Sequence, residues 1–225
     1  AYGSIASAGD VDDDGQDDLL FAAELADPGG ISNAGTTYLM LGSTITAQVV
    51  GTTFDIHTEA SYTFQASAGG ANYSGHGASY AGNVDNAGGD DVLIGAYGND
   101  QGGADAGKTY LFLADTITAQ PLGTSFDLDA HADYAFVGQP GEKSGGAVAS
   151  AGNLDGDVYD DILIGIDDSS VLPGTSYVML GSAILAESPG IATNASATFD
   201  LGTQASYAFV GESALAECGS SVASG

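Results

Sequence analysis

The chain has 225 residues, with 30 Asp and Glu against 2 Lys and Arg, for a formal charge of -28. Two cations cannot neutralise a row of phosphates or dock on an anionic headgroup surface, so nucleic-acid partners and docking on a membrane surface are not expected, and without an 18-residue apolar run no membrane insertion is expected either. Hydrophobic residues make up 44% and charged residues only 14%, so there is material for a core and the acidity does not imply disorder.

The elements repeat, and the first set defines the pattern. Gly3-Ser4-Ile5-Ala6-Ser7-Ala8-Gly9 predicts a strand running into an Asp-rich loop. Asp17-Asp18-Leu19-Leu20-Phe21 predicts a second strand, and the apolar stretch from Tyr38 to Leu41 a third. Ser43-Thr44-Ile45-Thr46-Ala47-Gln48 reads as a connection or one short turn. A Phe54-Asp55-Ile56 step follows, and Tyr62 with Phe64 closes the set. No stretch sustains a helical period.

The same markers return in the same order. The loop starts at Asp10, Asn83 and Asn153, 73 and 70 residues apart. The Asp-Asp pair returns at Asp90-Asp91 and Asp160-Asp161, and the Tyr-led stretch at Tyr110 and Tyr177. The Phe-Asp step returns at Phe126-Asp127-Leu128 and Phe199-Asp200-Leu201. The closing pair returns at Tyr134/Phe136 and Tyr207/Phe209. Four short strands per unit at this period predict an all-β fold of β-propeller blades.

Residues 1–72 are read as blade 1, 73–143 as blade 2 and 144–218 as blade 3. Residues 219–225 repeat the opening segment and read as the first strand of a fourth blade. Closed propellers hold about 4–8 blades, so the chain is expected to be part of a larger one.

The loops at 10–18, 83–91 and 153–161 carry the chemistry. In loop 1, Asp10, Asp12 and Asp14 alternate, so three carboxylates can converge on one cation. Gly15 permits the sharp turn, and the Gln16 carbonyl and Asp18 complete an oxygen-only shell. Such a shell suits calcium. It is not an EF-hand, because position 12 is Phe21 and the flanks read as strands. Loop 2 offers Asn83, Asp85, the Gly89 carbonyl and Asp91, but Ala87 removes one ligand. Loop 3 offers Asn153, Asp155, Asp157, the Tyr159 carbonyl and Asp161, but Val158 replaces the turn glycine. Affinity follows ligand charge, so loop 1 is expected to bind most tightly, loop 3 next and loop 2 weakly.

The other reactive residues read as structural. His57, His76 and His131 lack zinc-like spacing, and no serine stands in a nucleophile elbow. No enzyme activity is expected. Cys218 is the only cysteine, so no intrachain disulfide forms. The repeated Tyr and Phe read as packing between blades.

These residues resemble the FG-GAP repeat, the unit of the integrin alpha-chain propeller and of many bacterial secreted and surface proteins. The "FG" element stands as Phe136-Val137-Gly138 and Phe209-Val210-Gly211, and less faithfully as Phe64-Gln65. The "GAP" element stands as Gly95-Ala96-Tyr97, with weaker forms at Ala22-Ala23-Glu24 and Gly165-Ile166-Asp167. The resemblance spans essentially the whole chain. It implies a propeller, often seven-bladed, with calcium between the first and second strands of a blade.

The expectation is therefore a calcium-stabilised propeller segment of a large extracellular or cell-surface protein. Its role would be structural or adhesive, toward a protein or glycan ligand or toward neighbouring copies or blades of a larger assembly. The alternatives are a non-catalytic propeller accompanying a secreted hydrolase and a subunit of a self-assembling extracellular appendage.

Overall fold

The computed structural model describes residues 3–66, 72–166, 173–187, 197–214 and 218–223. It is mainly β, with three sheets and only short helices. In the first sheet β1 (Ile5–Gly9), β2 (Asp18–Ala23), β3 (Thr36–Met40) and β4 (Tyr62–Gln65) pair antiparallel in chain order. The second unit supplies β5 (Ser74–Gly82), β6 (Asp91–Ala96) and β7 (Lys108–Phe112). It adds β8 (Thr124–Asp127) and β9 (Tyr134–Val137). The third supplies β10 (Ser144–Gly152), β11 (Asp161–Ile166) and β12 (Pro173–Met179). It ends with β13 (Ala197–Asp200) and β14 (Tyr207–Ala214).

Each unit builds its own four-stranded antiparallel sheet, but the strand made from the Phe-Asp step does not join it. Strand β8 instead adds in parallel to β4 of the preceding sheet, with Phe126 opposite Phe64. Strand β13 adds to β9 in the same way, with Phe199 opposite Phe136. The sheets therefore cross the boundaries that the repeats set at 72/73 and 143/144. In the first unit, Phe54 and Asp55 form no strand. The sheet of β10, β11, β12 and β14 has no fifth member among the described residues.

In the second unit the Phe-Asp-hydrophobe marker has three separable jobs. Phe126 packs into the core. Asp127 caps the next helical turn, its carboxylate accepting from the Ala130 N–H at 2.9 Å. Leu128 then buries at the start of that turn. The turns after this marker are α2 (Ile56–Glu59), α4 (Leu128–His131) and α6 (Leu201–Gln204). The predicted short turns after the third strands are α1 (Gly42–Thr46), α3 (Ala114–Thr118) and α5 (Gly181–Leu185). Among the described residues no helix is long and apolar enough to cross a membrane.

Two cores lie between the sheets. One gathers Leu20, Leu39, Phe64, Ile94, Phe112 and Phe126. The other gathers Leu93, Leu111, Tyr134, Phe136, Ile164 and Phe199. Side chains alternate along a strand, so neighbours Leu93 and Ile94 enter different cores. The middle sheet is covered on both faces, and β6, β7 and β9 are buried along their full lengths. Such strands read as continuous apolar runs rather than alternating ones.

The inner strands approach backbone to backbone. A Cβ on Gly95 would stand 1.8 Å from the Gly145 carbonyl oxygen. Only glycine permits that contact. The opening segment does not recur as a strand: residues 218–223 are turns and bends, and 224–225 lie outside the described residues. In the three units this segment is held as a strand by the Asp-Asp strand that pairs with it.

Candidate metal centre

Strands β1 and β2 pair with a bulge between Ser7 and Gly9, and the loop between them is loop 1. Asp13 and Gly15 take left-handed conformations, with φ of 52° and 86°. These two turns curl the loop so that alternating residues face inward. One carboxylate oxygen from each of Asp10, Asp12 and Asp14 lies within 4.8 Å of the others. Asp13 and Asp17 are exposed.

Most oxygens of this triad have partners. The Asp10 carboxylate accepts from the Asp14 and Gly15 N–H groups at 3.0 and 2.9 Å. The Asp14 carboxylate accepts from the Gln16 N–H and side-chain amide at 2.9 and 3.2 Å. Asp12 Oδ1 is buried and has no hydrogen-bond partner. Burial, followed by the charges of Asp14 and Asp10, holds the Asp12 carboxyl above its ordinary value. An unpaired oxygen among three carboxylates is a place where a cation stabilises.

Asp18 does not join the triad. It is fully buried at the start of β2. One of its oxygens accepts from the Val11 N–H at 2.9 Å and the other from the Gly42 N–H at 2.7 Å. Asp91 does the same for Val84 and Ala114, and Asp161 for Leu154 and Gly181. The second Asp of each pair thus ties its loop to the helical turn after the third strand. Burial pushes Asp18 up to about 6 and Asp91 up to about 8, against the opposing pull of these N–H donors.

The first Asp of the pair links consecutive loops. Asp90 accepts from the Asp10 N–H at 3.0 Å, and its own N–H donates to the Asp10 carbonyl at 2.8 Å. Asp160 holds Asn83 with the same pair of bonds, at 2.9 and 3.2 Å. Sequence reasoning assigned no role to Asp90 or Asp160 and read the pair as part of the metal loop. A signal was present: the pair persists where Ala87 and Val158 degrade the ligand set.

Loops 2 and 3 resolve their polarity differently. The Asn83 amide donates to the Gly88 carbonyl at 3.2 Å, and the Asn153 amide to the Asp157 carbonyl at 2.6 Å. An N–H donor there takes over part of what a cation would supply. Asp85 also accepts from the Ala87 N–H, and Asp155 from the Asp157 N–H. Among the described residues, neither loop gathers a carboxylate triad like that of loop 1. Loop 3 also turns differently. Gly156 is left-handed with φ 79°, but Val158, in the place of Gly15, is not. A β-branched residue is strained at positive φ, so the second left-handed turn is missing. The Gly89 and Tyr159 carbonyls lie within their loops without a triad beside them. The Gln16 side chain is fixed by the Thr46 hydroxyl at 2.8 Å.

Of the three histidines, His76 pairs with Glu24, and His57 lies 3.3 Å from the Tyr38 hydroxyl. His131 stays exposed beside Asp127. One cation is buried. Lys108 Nζ donates to Asp129 at 2.6 Å and Gln101 at 2.7 Å, and lies 4.6 Å from the centre of the Tyr110 ring. Compared with known proteins, the chain matches no family model and no curated protein.

Proposed function

We propose that this chain is a calcium-stabilised segment of an FG-GAP-type propeller belonging to a large extracellular or cell-surface protein. Its role is structural or adhesive, presenting loops to a protein or glycan partner, and it is not catalytic. The observation that carries the metal part is the Asp10, Asp12 and Asp14 triad with its buried, unpartnered Asp12 oxygen. Support for the architecture comes from four-stranded antiparallel sheets that repeat face to face, with each loop between first and second strands. Calcium fits best because the donors are all oxygen and the loop is exposed. An extracellular setting supplies calcium and screens an acidic surface.

Calcium bound only to the folded form stabilises it by mass action, by about 2.7 kcal/mol at a hundredfold excess over Kd. At roughly 2–4 °C per kcal/mol for a chain of this size, that corresponds to about 5–11 °C in melting temperature. The test is thermal unfolding with calcium and with excess chelator, for the parent chain and for Asp12→Ala and Asp85→Ala. The parent and Asp85→Ala chains keep a calcium increment, and Asp12→Ala loses it. Identical parent curves with and without chelator refute the metal reading. A glycan array then tests adhesion to sugars.

A further inference from the structure

Where β13 crosses from the third unit to the sheet of the second, it leaves a cleft of about 280 Å³. The second unit lines it with Gln101, Gly102 and residues 137–139, and the third with residues 198–200 and Gln204. Both units stand side by side in this structure, so the lining is complete. The volume lies at the lower end of ligand clefts, which run from about 300 to 1,000 Å³. It suits a small polar molecule or one unit of a longer one.

The polar groups of the cleft are each fixed at one end. The Gln101 amide oxygen accepts from the Lys108 ammonium at 2.7 Å, and the Gln204 amide oxygen accepts from the Asp200 N–H at 2.7 Å. Those bonds leave the NH2 group of each amide to donate. Gln139 is held the other way round. Its NH2 group donates to the Asp200 carboxylate at 2.6 Å, which leaves its oxygen to accept. Asp200 itself departs from the repeat. Asp55 and Asp127, at the same position, cap their own turns by accepting from the His57 and Ala130 N–H groups at 3.1 and 2.9 Å. The Asp200 carboxylate makes no such cap and holds Gln139 instead. Val137 and Phe199, both buried, add apolar surface to the lining. No cation lines the cleft. The nearby Lys108 ammonium is itself 4% exposed and bound to Asp129.

We infer that this cleft binds a neutral carbohydrate. Every sugar hydroxyl both donates and accepts, and the cleft offers both kinds of partner. The Asp200 carboxylate and the Gln139 oxygen take hydroxyl protons, and the Gln101 and Gln204 NH2 groups give to hydroxyl oxygens. A few placed polar groups beside apolar surface fix the orientation of such a ligand. Side chains that are already held lose little freedom on binding. An anionic glycan meets a carboxylate, no cation in the lining and a chain of charge -28, and is repelled. The inference rests on the glycan half of the adhesive reading and gives it a site. It does not depend on metal in loop 1.

The probe is an array of neutral oligosaccharides with sulfated and sialylated glycans beside them, read with the 225-residue chain in calcium. A neutral glycan held on the array is then titrated by calorimetry. The parent chain binds it, and Asp200→Ala, Gln139→Ala and Gln204→Ala each lower the affinity about tenfold or more. Asp200 and Gln204 are exposed and Gln139 is half-buried, so these variants keep their folds, which melting curves check. Gln48→Ala, at an exposed glutamine outside the cleft, binds as the parent does. A neutral glycan whose affinity survives all three cleft substitutions overturns the site and leaves the adhesive reading standing. A parent chain that binds only charged glycans, or none, overturns the site as well, and with none bound the adhesive reading is left with a protein partner alone.

Discussion

Phe64, Phe136 and Phe209 occupy one repeat position, and the structure assigns them different energies. Phe136 is fully buried, stacked on Phe199 with ring planes 17° apart. Truncating it to alanine removes a core ring and leaves a cavity, at a cost of about 3–5 kcal/mol. It also removes the contact that seats β13 on β9. For a chain of this size the loss corresponds to roughly 6–20 °C in melting temperature. Phe64→Ala behaves alike, since Phe64 meets Phe112 at 4.8 Å and Phe126 at 5.2 Å. Phe209→Ala trims a ring that is already in solvent, so its effect stays within about 0.5 kcal/mol. The assay is thermal unfolding in dilute solution with calcium. Comparable losses at positions 136 and 209 would refute the assignment of open and closed sheet edges.

Two further outcomes follow from buried polar groups. Asp129→Ala is more destabilising than Lys108→Met: the first strands an ammonium that is 4% exposed, whereas the second frees an aspartate that is 44% exposed and can hydrate. Equal losses in denaturant titrations would count against that ordering. Burial, with the charges of Asp133, Asp85 and Asp91, pushes the Tyr134 hydroxyl up to about 12 from 10.0. The unfolded chain releases this proton first, so stability falls as pH rises from 10 toward 12. Tyr110 and Tyr177 are raised in the same direction by burial and by Asp129 and Glu142. Tyr134→Phe reduces the alkaline loss, and a variant with the parent's pH profile removes Tyr134 as a contributor.

The repeat, the strands and the carboxylate triad were legible without coordinates, because each is a local pattern. Apolar runs bounded by Gly and Asp specify short strands, and Asp at alternating positions of a curling loop brings oxygens together. The Asp-Asp pair was only half legible. Its recurrence was plain, but its partners, Gly42, Ala114 and Gly181, lie 20 to 24 residues away. No local rule connects them. Lys108 was likewise visible as a rare cation, and its burial against Asp129 and Tyr110 was not.

The sequence by itself therefore determined the four strands that recur in every unit, which loop gathers three carboxylates, and that one unit is used three times. Only the tertiary structure decided that the Phe-Asp strand leaves its own unit for the preceding sheet. That choice is between two edges of similar local pattern, β4 and β9, which the sequence does not distinguish; in the fold each Phe-Asp strand stacks its phenylalanine on that of the preceding sheet. The same fact decides burial at the repeated positions. Identical residues are core at β4 and β9 and surface at β14, because burial depends on a neighbouring sheet and not on the strand's own sequence.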